Sequence, residues 1–349
     1  MNILAVGTMS GTSLDGIDIA LCRFSENGNN WSWDIIDAQT VTYQSEWIGK
    51  LREAHLLKAQ EFLLLHNEYG CYTGQLISDF LLSKEIPQLI ACHGHTIFHQ
   101  PDKKFTFQLG NGANVAATAG ITTVSDFRSL DVALGGQGAP LVPVGDQLLF
   151  PEFDYCLNIG GFANISFGKN GNRVAYDICP ANIILNALSQ QMGYTYDQDG
   201  QLGSSGTVNE RLLQKLNNLD YYYLQYPKSL GREWIDNKII PLLLGSGISI
   251  VDQAATIYEH IAFQISRVFD TGKVLTTGGG SKNRFLIDKL RHKTSCQIYL
   301  PDEKLIDFKE ALIFAFLGVL AFRNSINVRS SATGALQDHI GGIIYHIGI

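Results

Sequence analysis

Three times in this chain a short apolar run stops at glycine. Ile3–Gly7 leads into Thr8-Met9-Ser10-Gly11-Thr12-Ser13-Leu14-Asp15-Gly16-Ile17-Asp18, Tyr155–Asn158 leads into Gly160-Gly161, and Lys273–Thr277 leads into Gly278-Gly279-Gly280. Glycine there lets the backbone turn sharply or approach a neighbour closely. In the first two cases a second apolar run follows, Ile17–Phe24 and Ala163–Phe167. Each pair reads as strand, glycine turn, strand, the pattern of a hairpin. Its recurrence predicts two domains built on a similar plan. The third cluster ends a strand and starts a helix.

Elsewhere strand patterns mix with long helical ones. Leu51, His55, Leu56, Phe62, Leu65 and Tyr69 recur at helical spacing across Ser45–Leu82. Ala254–Phe269 and the apolar run Lys309–Arg323 are also predicted helices. Trp31–Tyr43, Gln88–Cys92, Phe105–Gly110 and Thr122–Ser125 read as strands. Gly193–Gly206 is polar and glycine-rich, so a surface loop is expected. The mixture predicts an α/β fold, and 349 residues suit two domains. Their boundary is expected near Asp126, with residues 1–125 plus 325–349 in the first domain and 126–324 in the second.

Charge and cysteine usage narrow the function. The net charge is −7 and the Lys and Arg residues are scattered. A nucleic-acid partner is therefore not expected, because it needs a basic face. No apolar run approaches the ~18 residues of a membrane span. The apolar start Met1–Val6 lacks the basic flank of a signal peptide. None of Cys22, Cys71, Cys92, Cys156, Cys179 and Cys296 forms a C-x-x-C pair. A reducing cytoplasm is the expected compartment.

The first turn has the composition of an anion site. Successive backbone N–H groups in such a turn make a concavity for oxyanions, and Ser10, Thr12 and Ser13 add hydroxyl donors. Asp15 and Asp18 would repel a bare phosphate but suit one that arrives with Mg2+. No lysine follows, so this is not a P-loop. A strand follows rather than a helix, so it is not a dinucleotide fingerprint. On residue types alone a plain hairpin turn is equally open, with Ser, Asp and Gly serving turn geometry. The other clusters stay open in the same way. Asn158, Gly160 and Gly161 could hold the far side of a triphosphate, and Gly278, Gly279 and Gly280 could lie against a flat base or sugar.

The order of these and further motifs resembles the anhydro-N-acetylmuramic acid kinase family. The resemblance rests on Gly7–Asp18, His93-Gly94-His95-Thr96, Asp126-Phe127-Arg128 through Asp131, and Gly135-Gly136-Gln137-Gly138-Ala139-Pro140-Leu141-Val142-Pro143. It continues through Leu157–Gly161, Pro227-Lys228-Ser229, Gly231-Arg232-Glu233, Gly278–Gly280, Glu310-Ala311 and Thr333-Gly334-Ala335. It spans almost the whole chain. It implies the superfamily of actin, hexokinase and the 70-kDa heat-shock ATPases: two actin-like (ribonuclease H-like) domains, each on a five-stranded sheet with flanking helices, with a nucleotide cleft between them. It also implies ATP and Mg2+ as cofactors, a homodimer, and cytoplasmic recycling of cell-wall sugar. The implied reaction converts 1,6-anhydro-N-acetylmuramic acid, ATP and water to N-acetylmuramic acid 6-phosphate and ADP.

The resemblance also implies residue roles. Asp177 is the general base for the attacking water. Gly11, Thr12, Ser13, Leu14, Asp15, Gly16, Ile17 and Asp18 take ATP phosphates with Asn158, Gly160 and Gly161. Gly278, Gly279 and Gly280 face the base and ribose. Arg128, Asp131, Gln137, Asn182 and Glu310 contact the sugar, and Asp15 or Asp18 reaches Mg2+ through water. Read without the family, Asp177 is an N-cap of the next helix, Glu310 a partner of a helix dipole, Arg128 a surface ion pair, and His93 with His95 packing residues. The family's Gly-Pro-Gly-Asn after the base is Cys179-Pro180-Ala181-Asn182 here. Side chains at two glycine positions leave two further readings open: a non-catalytic nucleotide- or sugar-binding relative, and a kinase for a different amino sugar.

Overall fold

The computed structural model describes residues 2–28 and 30–348. Its strands are β1 (Asn2–Ser10), β2 (Gly16–Asn27), β3 (Asn30–Thr42), β4 (Leu89–Gln100), β5 (Phe105–Leu109), β6 (Thr123–Ser125), β7 (Tyr155–Ile159), β8 (Phe162–Lys169), β9 (Asn172–Pro180), β10 (Lys273–Thr277), β11 (Gln297–Tyr299) and β12 (Ile343–Tyr345). They form two sheets in two compact units.

The first sheet runs β12-β6-β4-β1-β2-β3, with β5 added on β4. β1 is antiparallel to β2 and parallel to β4, and β4 is parallel to β6. The second runs β11-β10-β7-β8-β9. Here β7 is antiparallel to β8 and parallel to β10, and β10 is parallel to β11. The two sheets repeat one order and one set of directions, so the similar plan read from the glycine turns is present. β1 is buried on both faces, as a central strand covered on two sides must be. β3, at the edge, is mostly exposed or half-buried, with Ile35 its one buried residue.

In the first unit the helix Ala59–Phe80 buries Leu65, Tyr69 and Ile77 against one face of the sheet. The helix Glu303–Phe322 packs on β1 and β4 so closely that a Cβ at Gly7 would overlap the Ala311 carbonyl, and one at Gly318 the Ala91 side chain. In the second unit Ile257, Ile261 and Ile265 of the helix Ile250–Ser266 join Leu157, Ile159 and Ile165 of the sheet in one core.

The units divide at Phe150 and at Asp307, not near residues 126 and 325. The reason is bonding. Arg128 binds His93 of β4, Thr333 binds Asp131, and Lys309 pairs with Asp146 at 2.7 Å. Those ties keep residues 126–150 and 308–324 with the first sheet. The stretch 193–206 is also more ordered than a surface loop. Asp197 accepts from the N–H groups of Leu202 and Gly203 and from Tyr258 Oη, which anchors the short helix Gln201–Ser205.

Candidate active site

Residues 11–15 join β1 to β2 as an open loop. Thr12, Ser13 and Asp15 are exposed, and Leu14 has φ 62°, the left-handed region. Among the described residues, the N–H groups of Thr12, Ser13 and Asp15 donate to no carbonyl. Gly16, Ile17 and Asp18 instead belong to β2. Ile17 is buried, and Asp18 accepts from Thr40 Oγ1 at 2.6 Å. Ser10 is not a free donor, contrary to expectation. Its buried hydroxyl bonds Tyr43 Oη at 2.6 Å and His95 Nδ1 at 2.8 Å, and Tyr43 bonds Tyr69. Ser10 thus fixes the base of the loop. Burial holds the His95 pKa down to about 4, so the ring is neutral there.

Arg128 is no surface ion pair. Its Nε and Nη2 donate to His93 Nε2 at 3.0 and 2.8 Å, and Nη1 donates to the Gly138 carbonyl at 2.6 Å. His93 Nδ1 donates to the Gly94 carbonyl, which leaves Nε2 as the acceptor. Burial, then the Arg128 charge, push the His93 pKa well down. His93 and His95 are therefore hydrogen-bonded packing residues. Two guanidinium N–H groups remain for a ligand.

Asp131 departs from its expected sugar contact. It is fully buried. Oδ2 accepts from the Gly138 N–H and Oδ1 from Thr333 Oγ1, both at 2.6 Å. Its carboxylate is spent holding the glycine-rich loop. Gln137 is tied by its own N–H to the Thr333 carbonyl, while its side chain is exposed.

Glu310 does not start its helix. That helix begins at Glu303, so a dipole role at the N-terminus falls away. Glu310 is open to solvent in a run where Ala311–Ala321 is otherwise buried or glycine. Surrounding protein raises its pKa even though the side chain reaches solvent, while Arg128 and Lys309 lower it. Asp18 and Asp146 add like charge. Asp18, Arg128 and Glu310 thus share one electrostatic neighbourhood.

In the second unit the two glycine clusters meet. Thr277 of β10 pairs with Asn158 of β7, so both turns lie at one end of the sheet. Gly278 has φ 81°, and a Cβ there would overlap Asn158 and the Ile159 backbone. Gly280 is as tight against Ile159. Only Gly279 of the three is open. It lines a cavity of about 450 Å3 with Asn182, Tyr196, Asp197, Tyr258, Lys282 and Asn283. Tyr196 and Asp197 lie in the stretch read as a loop, and no motif in the sequence marks them. Asn182 donates from Nδ2 to the Ile159 carbonyl at 3.3 Å and from its N–H to Gly160 O at 3.2 Å. The glycine turn at 160–161 is thereby tied to the helix Asn182–Gln191.

Asp177 lies inside β9, and it does not cap the next helix. It faces Asn164 across a bulge that puts Cys179 opposite Ala163. Oδ2 accepts from the Leu230 N–H at 2.9 Å, and Tyr221 Oη donates to the Asp177 carbonyl at 2.6 Å. Among the described residues Oδ1 has no protein partner. Burial raises the Asp177 pKa, and the Leu230 bond only partly offsets it. A raised carboxylate with one anchored and one open oxygen suits general-base work.

Neither Cys179 nor Ala181 has the left-handed backbone that favours glycine. Cys179 is buried in extended strand with its thiol among core residues. Ala181 has φ −129°, so neither position needs glycine's left-handed freedom. Burial, then the Asp177 charge, raise the Cys179 pKa, which makes it a poor nucleophile.

Two α/β units with one repeated strand order, each with a glycine turn at the end of its central strand, give the chain an actin-like fold. The sequence comparisons give the particular family. The family model for anhydro-N-acetylmuramic acid kinase matches residues 3–347. Curated relatives of that name from Pseudomonas fluorescens (strain Pf0-1) and Sulfurimonas denitrificans are 36% and 33% identical. These matches cover 98% and 99% of this chain and 99% and 100% of theirs. The chain belongs to the anhydro-N-acetylmuramic acid kinase family. A solved activator of the 2-hydroxyisocaproyl-CoA dehydratase from Clostridium difficile is 14% identical, with a TM-score of 0.46 over 90% of this chain and 94% of its own.

Proposed function

We propose that the protein is an ATP-dependent kinase that opens 1,6-anhydro-N-acetylmuramic acid with water and phosphorylates its O6. The observation that carries this reading is the Asp177 carboxylate, anchored by Leu230 and open at Oδ1. Asp177 takes a proton from water as the water oxygen bonds to the anomeric carbon. The bond from that carbon to O6 breaks. O6 then bonds to the γ-phosphorus, and ADP leaves. Positioning and charge neutralisation supply most of the acceleration in such transfers.

The remaining residues take supporting roles. The open loop of Gly11, Thr12, Ser13, Leu14 and Asp15 offers N–H groups to the phosphates, aided by the turn at Asn158, Gly160 and Gly161. The cavity beside Gly279 takes the base and ribose. Arg128 offers its two remaining N–H groups to the lactyl carboxylate, a planar match for its fork. Glu310, Gln137 and Asn182 complete the sugar contacts. For Mg2+, no group of three potential ligands is gathered among the described residues. The exposed carboxylate of Asp15 and that of Asp18, coupled to Glu310, fit an ion that keeps most of its waters. Bound there, Mg2+ would neutralise phosphate charge.

No helix among the described residues is long and apolar enough to cross a membrane. A cytoplasmic homodimer is part of the same reading, and gel filtration with light scattering tests the dimer. Mass spectrometry of the product made in isotope-labelled water tests the reaction. Label on the anomeric oxygen with phosphate on O6 is the expected outcome. Phosphate transfer without label would favour a kinase for another amino sugar, and ligand binding without transfer a non-catalytic relative.

A further inference from the structure

The second unit holds another, smaller cavity of about 190 Å3. It shares no lining residue with the cavity at Gly279. Tyr176, Tyr222 and Tyr226 form its walls, and its charged lining residues are Lys228 and Arg267. The Tyr176 and Tyr226 rings stack within 5° of parallel at 5.5 Å. Tyr222 is fixed from behind by His260 Nε2 at 2.8 Å. Lys228 Nζ donates to the Tyr221 carbonyl and lies 5.4 Å from the Tyr176 ring centre. Arg267 rests on the Tyr223 and Phe263 rings.

No acid among the described residues lines this cavity. Among the described residues neither Lys228 nor Arg267 has a carboxylate partner. Two cations lining one concavity repel, though less because Arg267 is exposed, and a bound anion removes that cost. Burial, then the Arg267 charge, already lower the Lys228 pKa. We infer that this cavity binds a small oxyanion, a phosphate or a carboxylate, between Lys228 and Arg267. The Arg fork suits two oxygens of such a group, and the side chain of Gln225 is at hand as a further donor.

The segment from Tyr221 to Leu230 serves two places at once. Tyr222, Tyr226 and Lys228 line the cavity, while Tyr221 and Leu230 hold the carbonyl and carboxylate of Asp177. An anion that orders this segment also steadies Asp177. That second step rests on the role proposed for Asp177; the binding itself does not.

The test is amide NMR of the full chain titrated with inorganic phosphate, acetate or chloride at fixed ionic strength. Saturable shifts at amides of Tyr222–Lys228 and Gln264–Val268 are expected with phosphate or acetate and not with chloride. The stronger of the two names the class of oxyanion. Arg267→Gln and Lys228→Gln should each weaken binding about tenfold or more, the loss of one charge-assisted contact. Lys228→Arg should retain it, which separates charge from misfolding. Absence of saturation at these amides, or unchanged binding in both Gln variants, overturns the site. Binding with unaltered turnover keeps the site and overturns only its coupling to Asp177.

Discussion

The Leu230 N–H donates to Oδ2 of Asp177 at 2.9 Å across 53 residues of sequence. One bond thereby aims a carboxylate whose other oxygen is left to solvent or substrate. Asp177→Asn keeps the shape and the acceptor but removes the base. Turnover should fall by roughly 10²–10⁴, with nucleotide affinity unchanged by calorimetry. Full turnover in this variant would remove Asp177 from the mechanism.

The same burial has a cost in stability. Asp177 has its pKa raised in the fold, against about 3.9 in the unfolded chain. Such a group favours the fold below the unfolded value, and that contribution is lost as pH rises through the folded value. At pH 7 Asp177→Asn should therefore melt higher than the parent, and near pH 3 the two should coincide. The kcat/KM profile should also lose activity on its acid side above the pH where an ordinary carboxylate titrates. Differential scanning at the two pH values and a pH–rate profile check both signs.

Much of this site could be read along the chain, and what could not depends on pairing in space. The hairpin around residues 11–15 and the ends of β7 and β10 follow from apolar runs that stop at glycine, whereas the match between Thr277 and Asn158 appears only once β7 and β10 pair. The position of Asp177 inside β9 does not follow from such runs either, because the bulge exists only once Ala163 and Asn164 pair with Cys179 and Asp177. The enclosure of Asp131 needs Thr333, 202 residues away. The start of the helix at Glu303 was masked by Asp307 and Lys309. Asp307 is exposed and bonds Lys282, and Lys309 is buried against Asp146, so neither breaks the helix.

Asp131 is expected to act through the loop it holds. Asp131→Ala leaves the Gly138 N–H and the Thr333 hydroxyl without their acceptor. Bonds to a charged group are each worth about 1.5–3 kcal/mol. A drop of about that size in unfolding free energy is expected in urea, together with a raised KM for the sugar. Unaltered stability would return Asp131 to the role of a plain ligand.

Cys179 offers a test of the departure from the family's run. Its side chain is in the core, away from solvent. Cys179→Gly should leave the choice of sugar unchanged. It should cost more than about 1 kcal/mol, since glycine weakens a strand and empties a packed position. A changed substrate preference, measured as the ratio of kcat/KM for two sugars, would show that the thiol shapes the site after all.

Gly7 and Gly11 separate packing from ligand approach within one motif. At Gly7 a Cβ would overlap the backbone of Ala311 and crowd the N of Ala315, so the helix must move off the strand. Overpacking of this kind costs about 1–3 kcal/mol or more. At Gly11 the nearest atom to a new Cβ is Ser13 Oγ at 3.6 Å, an ordinary contact. Gly7→Ala should therefore lower the melting temperature, with KM for ATP moved only as far as the fold is lost. Gly11→Ala should melt like the parent yet raise KM for ATP, because the methyl group stands where phosphate oxygens would approach the open N–H groups. If Gly11→Ala binds ATP as the parent does, the loop at residues 11–15 is a hairpin turn and nothing more. The phosphate contacts would then have to come from elsewhere in the chain.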